Sequence, residues 1–139
     1  MTIHFYRDVL CLFLFFSLLF LTMSCGKAED TKTPVEFELC ADEELPDELA
    51  AMIEEKKEEE FQFTYETSAY LYLAAGYGEQ PRGEYVAAVR EIYENEDGIF
   101  ADMVLIDRSY SEDKAAGEPS VYPYIVLRCG KKGKPVFFL

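Results

Sequence analysis

Histidine and cysteine, the side chains most often used as general base, nucleophile or zinc ligand, are few in this chain. The one histidine is His4, and the four cysteines are Cys11, Cys25, Cys40 and Cys129. Acids are plentiful, with 27 Asp and Glu against 13 Lys and Arg, a formal net charge of −14. They fall in runs and turns, such as Glu54-Glu55-Lys56-Lys57-Glu58-Glu59-Glu60. Acid–base catalysis needs a carboxyl whose pKa is raised by an apolar pocket, and no such setting is visible. A run of acids on a helix points its carboxylates in all directions. It also lacks the Asp-x-Asp-x-Asp-Gly spacing of a calcium loop, so it reads as a solvated face. No glycine-rich phosphate loop precedes a helix. The expectation is a protein that is not an enzyme, with no catalytic residues, no metal and no cofactor. A charge this negative also argues against nucleic acid and against direct contact with anionic headgroups.

The N-terminus explains the placement of two cysteines. Residues 9–21 are almost unbroken Leu and Phe, preceded by Arg7. This 13-residue segment, apolar but for Ser17, suits the core of an export signal and is short of the roughly 20 residues that span a bilayer. Leu21-Thr22-Met23-Ser24-Cys25-Gly26 then resembles a bacterial lipobox, with Ser24 as the small residue before a Cys25 that takes an acyl group. Thr22 stands where a lipobox usually has Leu, and Leu21 lies one step earlier. On this reading residues 1–24 are a lipoprotein signal peptide, and residues 25–34 are the lipidated cysteine and a polar tether. Residues 35–139 form a single extracytoplasmic domain, held on a bacterial membrane through Cys25. His4 leaves with the signal, so the mature chain has no imidazole for a Ser–His or Cys–His pair and none to ligate zinc. Cys40 and Cys129 remain. Outside the cytoplasm they have two possible states, a disulfide closing a long loop or two free thiols, and geometry decides between them.

The elements that would hold any site are mostly strands. Residues 35–39 alternate apolar and acidic, which predicts a first strand with one buried face. Residues 45–60 are the one good helix. Pro46, Asp47 and Glu48 suit its N-terminus, and Leu49, Met52 and Ile53 form an apolar stripe. Like charges four residues apart, Glu54/Glu58 and Glu55/Glu59, predict a fraying last turn. From Phe61 onward the pattern is sheet: residues 61–66, 70–75, 85–93, 99–107, 122–129 and 136–139. Asn95-Glu96-Asp97-Gly98 is a hairpin signal. Residues 109–120 read as a polar loop, and Gly130-Lys131-Lys132-Gly133-Lys134 as a basic hairpin tip. Tyr70, Tyr72, Tyr122 and Tyr124 would form one tyrosine ladder if their strands neighbour each other. The predicted fold is α+β: a mainly antiparallel sheet of about six or seven strands, curled or sandwich-like, with one packed helix.

Three glycines and a proline between residues 76 and 85 shape a loop between two strands. Gly78-Glu79-Gln80-Pro81-Arg82-Gly83-Glu84-Tyr85 resembles the Gly-Glu-Lys-Pro-Thr-Gly-Gly-Tyr motif of the PrcB C-terminal domain family. Tyr122-Pro123-Tyr124-Ile125-Val126 is similar to that family's closing strand, and the resemblance spans roughly residues 61–128. Arg82 and Glu84 depart from the motif, which has Thr and Gly there. The resemblance implies an extracytoplasmic lipoprotein of the kind that serves as a non-catalytic subunit of a surface protease complex. The expected function is a lipid-anchored binding or scaffold protein that docks a surface or secreted protein through residues 78–85. The alternative is a protease inhibitor: the same loop is loosely similar to the Asn-Pro-Thr-Thr-Gly-Tyr loop of chagasin-like inhibitors, with Gln80 for the Asn and one residue between Pro81 and Gly83. Pro81 and a positive φ expected at Gly83 would stiffen the loop.

Overall fold

A strand that is apolar at every position must be covered on both faces, and residues 71–76 are such a strand: all six are buried. The computed structural model describes residues 31–81, 84–108 and 119–139, and builds the fold around it. The chain divides into two units, Met1–Thr31 and Lys32–Leu139. The signal peptide, the lipidation cysteine and most of the tether lie outside the described residues. So does most of the polar loop expected at 109–120.

The described residues form eight strands, one α-helix and a 3-10 turn. The strands are β1 (Thr33–Pro34), β2 (Phe37–Leu39), β3 (Glu60–Glu66), β4 (Tyr70–Tyr77), β5 (Tyr85–Glu94), β6 (Ile99–Asp107), β7 (Tyr124–Gly130) and β8 (Val136–Phe138). The helix is α1 (Asp47–Lys56), and the 3-10 turn is Asp42–Glu44. Sheet I has the order β1-β5-β6-β8 and sheet II the order β2-β7-β4-β3. All pairings are antiparallel except β6 with β8, which is parallel. The fold is therefore α+β, as the sequence predicts, with the two short strands β1 and β2 raising the count to eight.

Side-chain alternation sorts the two faces of sheet II. Leu71, Leu73 and Ala75 of β4, with Ile125, Leu127 and Cys129 of β7, pack against Ile92, Ile99, Ala101 and Met103 of sheet I. Tyr72, Ala74 and Val126 point the other way and pack with Phe61 under Leu49 and Ile53 of α1. The predicted helical stripe does face the sheet, with Leu49 and Ile53 buried and Met52 half-buried. The helix is shorter than the residues 45–60 expected. Pro46 is its N-cap, and it ends at Lys56, before the like-charge pairs Glu54/Glu58 and Glu55/Glu59 can close. Among the described residues no helix is long and apolar enough to cross a membrane.

The expectations at 35–39 and 130–134 are corrected, while the hairpin expected at 95–98 forms between β5 and β6. The strand predicted over 35–39 is split, because the chain changes sheets there: Thr33 and Pro34 pair with β5, and Phe37 to Leu39 pair with β7. Val35 is buried at the crossing, while Phe37 and Leu39 are 38% and 59% exposed. The pairing of Thr33 and Pro34 also ends the polar tether before residue 34. At 95–98 the turn is held by the Asn95 side chain, whose Oδ1 accepts from the Asp97 and Gly98 N–H groups. Gly98 has no positive φ; it is needed because a Cβ there would lie 2.6 Å from the Pro135 carbonyl oxygen. The basic segment 130–134 is not a hairpin tip, since β7 and β8 lie in different sheets. Its lysines are paired: Lys131 with Glu66 at 3.0 Å, and Lys132 and Lys134 with Glu94 at 2.6 and 3.2 Å.

Gly76 sits opposite Phe61 in the β3–β4 ladder, and the Phe61 ring lies where a Cβ would be. Gly76→Val should therefore overpack the helix side of sheet II by about 1–3 kcal/mol, lowering Tm by roughly 5–20 °C. Thermal melting checks this, and an unchanged Tm would mean that the ring gives way without cost.

Candidate functional site

The loop predicted from residue 76 starts two residues later, because β4 continues through Tyr77. Gly78 then turns the chain with φ of 65°. Its surroundings are tight: a Cβ would stand 3.3 Å from the Glu58 carbonyl oxygen. The positive φ expected at Gly83 cannot be placed, since Arg82 and Gly83 lie outside the described residues. Among the described residues Gly78 and Gly133 carry positive φ.

The loop is braced by three neighbouring segments. The Tyr77 N–H donates to the Pro123 carbonyl at 3.0 Å, and the Glu79 N–H to the Glu58 carbonyl at 3.3 Å. Gln80 forms an isolated antiparallel bridge with Val121, with N–H···O distances of 2.8 and 3.0 Å. Its side-chain amide donates to the Tyr77 carbonyl at 2.7 Å. The Ser120 hydroxyl donates to the Glu79 carboxylate. On the far side the Arg108 N–H donates to the Glu84 carbonyl at 2.8 Å, and Tyr85 enters β5 opposite Asp107. Glu79, Pro81 and Glu84 are exposed, Gln80 and Tyr85 half-buried and Gly78 buried. The loop thus holds polar side chains toward solvent on a backbone fixed at both ends.

A groove of about 420 Å³ adjoins it. Leu39, Ala87 and Ile125 form its apolar part, beside the end of β2 and the start of β7. Tyr122, Tyr124 and Asp42 line its polar part. The loop joins this groove at two points, through Gln80, paired with the residue before Tyr122, and through Tyr85, two residues before Ala87. The Tyr124 hydroxyl donates to Asp42 at 2.6 Å. Burial, and then that bond, push the Tyr124 phenol well above its usual range. Tyr122 has Lys57 Nζ 5.9 Å from its ring centre. Sequence patterning missed Leu39 as a groove residue, because period-two alternation marked it as core.

The predicted tyrosine ladder is not formed. β4 and β7 are neighbours, yet antiparallel register places Tyr72 opposite Arg128 and Tyr124 opposite Gly76. Tyr72 instead groups with Tyr65 and Tyr70, at ring-centre distances of 6.2 and 6.3 Å. Arg128 lies 5.1 Å over the Tyr70 ring and is paired with Glu38 at 2.8 Å. Tyr122 lies before β7.

Cys40 and Cys129 are free thiols. Alternation explains why: Cys129 faces the core between the sheets, whereas Cys40 packs on the helix side of sheet II. A sheet separates the two sulfurs, so the disulfide alternative falls away. Among the described residues no group of three or more His, Cys, Asp or Glu is placed to hold a metal ion. Comparison of the chain with protein-family models, with curated proteins and with solved structures finds no match in any of the three.

Burial raises the thiol pKa of Cys40 and Cys129 and the phenol pKa of Tyr77, while a hydrogen bond to Glu48 raises that of Tyr65. Hydrogen bonds to carboxylates raise Lys57 and Lys132. A raised pKa means that the folded chain holds the proton more tightly than the unfolded one. The associated stability is whole below the unfolded pKa and lost as pH climbs through the folded value. Glu94 has the opposite sign, because the Lys132 hydrogen bond lowers its pKa, so its contribution is lost as pH falls into the acid range. Tm should therefore hold near neutrality, fall above about pH 9 and fall again below about pH 4.5. Melts across pH check this, and a Tm that rises above pH 9 would contradict it.

Proposed function

We propose that this chain is an extracytoplasmic, lipid-anchored binding or scaffold protein that docks a surface or secreted protein, a surface protease complex being one such partner, and that it does no catalysis. The observation that carries the reading is a loop braced at its two ends, residues 78–80 and 84–85, beside an open groove with an apolar floor and a tyrosine rim. Rigid loops on a sheet scaffold lose little entropy on binding, and tyrosines combine an apolar body with a polar tip. The resemblance of residues 78–85 and 122–126 to the PrcB C-terminal domain family supports the same assignment. The anchor reading rests on the apolar run 9–21 and on Ser24-Cys25.

The test separates anchoring, binding and folding. Cys25→Ala should be left unprocessed and should lose lipid labelling at position 25. Leu39→Asp, at an exposed position, should keep its stability within about ±0.5 kcal/mol, while crosslinking to the envelope partner falls both in it and in Arg82→Ala. Gly78→Val should act through folding instead, costing about 1–3 kcal/mol because a β-branched residue is strained at positive φ. Processing and lipid labelling of Cys25→Ala as in the unaltered protein would refute the anchor. Unchanged crosslinking by both Leu39→Asp and Arg82→Ala would refute the site.

A further inference from the structure

An edge strand carries backbone N–H and C=O groups with no partner inside its sheet, and proteins ordinarily blunt such edges. Among the described residues four strands lie at sheet edges: β1, β8, β2 and β3. Three are short: β1 has two residues, one of them Pro34, and β2 and β8 have three each. β3 has seven, Glu-Phe-Gln-Phe-Thr-Tyr-Glu, with no proline, lysine or glycine. Its register against β4 runs unbroken from Glu60 to Glu66, so no bulge twists the edge away. Among the described residues, this edge has acidic side chains alone of the usual protections.

The direction of its free groups follows from the ladder. In an antiparallel pair alternate residues bond inward and outward. The Thr67 N–H donates to the Tyr70 carbonyl across the hairpin, which sets the phase. The bond from the Tyr77 N–H to the Pro123 carbonyl fits it, since it gives the odd-numbered residues of β4 to β7. Phe61, Phe63 and Tyr65 therefore bond to β4. Glu60, Gln62, Thr64 and Glu66 direct their backbone groups outward, and no backbone bond to them is made by another described residue.

The side chains beside this edge differ by face. Phe61, Phe63 and Tyr65 lie on the helix side, the Phe61 and Phe63 rings 5.3 Å apart. Glu60, Gln62, Thr64 and Glu66 lie on the other side, all exposed. Glu58 and Glu59 extend the acidic run at one end, and Lys131 is paired with Glu66 at the other. A second copy of this chain is a poor occupant. Two β3 strands paired antiparallel about Phe63 would set Glu60 against Glu66 at both ends, on chains each of net charge −14. Like charges directly opposite destabilise a strand pair.

We propose that β3 is a docking edge for an extended basic peptide segment, which adds to sheet II as a fifth strand. Its backbone bonds to Gln62 and Thr64. Its apolar side chains alternate onto Phe63 and Tyr65, and its Lys or Arg side chains onto the face that carries Glu60. The proposal does not depend on the loop of residues 78–85, and its variants leave that loop intact.

The experiment titrates the full-length protein with an acetylated peptide of alternating valine and lysine, by calorimetry. The same peptide with glutamate for lysine is the comparison. Thr64→Pro removes an outward N–H that the β3–β4 ladder does not use, and Glu60→Lys reverses the charge of an exposed side chain. The lysine peptide should bind and the glutamate peptide should not. Affinity should fall about tenfold or more in Thr64→Pro, equivalent to at least one lost strand contact, and also fall in Glu60→Lys. Absence of binding by the unaltered protein overturns the proposal, as does equal binding of the glutamate peptide. Undiminished affinity in folded Thr64→Pro overturns it too. If Thr64→Pro fails to fold, Glu60→Lys decides: undiminished affinity there overturns the proposal. A dimer that Glu60→Lys strengthens, with no peptide bound, would assign the edge to a second copy instead.

Discussion

The structure depends on the burial of sheet II on both faces. β4 and β7 are its central strands, and Leu73 and Leu127 are fully buried on one face while Ala74 and Val126 are almost fully buried on the other. Each fully buried aliphatic side chain contributes on the order of 1.5–3 kcal/mol through removal from water. A sheet that is apolar on both faces cannot stand alone, so one face takes sheet I and the other takes α1. That requirement fixes the layer order, helix on sheet on sheet. It also fixes the place of the loop after β4, because Tyr77 and Gln80 remain bonded to residues 121–123 on the approach to β7.

The width of the two covering layers then decides what is left open. α1 covers the middle of sheet II, and sheet I covers β4 and β7 from the other side. The margins of sheet II are less covered: Phe37 and Leu39 on β2 are exposed, as are the polar side chains of β3. Charge follows the same division. The basic segment between β7 and β8 spends its lysines on Glu66 of sheet II and Glu94 of sheet I, so it ties the sheets together where the chain crosses. Partly exposed pairs of this kind contribute little each, on the order of 1 kcal/mol, so the core rather than the clasp holds the sandwich. Glu58, Glu59 and Glu60 then lie together at one end of the β3 edge.

Much of this was legible in residue patterns, and the exceptions share a cause. β3 to β7 follow from alternation or from unbroken apolar runs, and α1 from Leu49 and Ile53. The like-charge pairs beyond Glu54 mark where the helix ends. The failures are places where the chain changes sheets. Period-two alternation over 35–39 is real, but Val35 belongs to a crossing, and Phe37 and Leu39 lie past the margin of the opposing sheet. The last strand looks like a hairpin partner of β7, yet it pairs in parallel with β6, a long-range choice that no local pattern encodes. The loop was legible as a loop from its glycines and Pro81. Its groove was not, because Leu39, Ala87 and Ile125 come from three distant strands. The tyrosine ladder failed on register, which alternation does not supply.

Among the described residues, sheet II is a platform buried on both faces, with one long margin, β3, open to solvent. Hydrogen exchange of backbone amides, residue by residue in the free protein, tests this most directly. Exchange should be slowest at Leu73 and Leu127, close to the rate set by global unfolding. Along β3 protection should alternate, with the amides of Phe63 and Tyr65 protected and those of Gln62 and Thr64 exchanging fast. Protection of Gln62 and Thr64 equal to that of Phe63 would mean that the margin is already paired and that β3 is not an open edge.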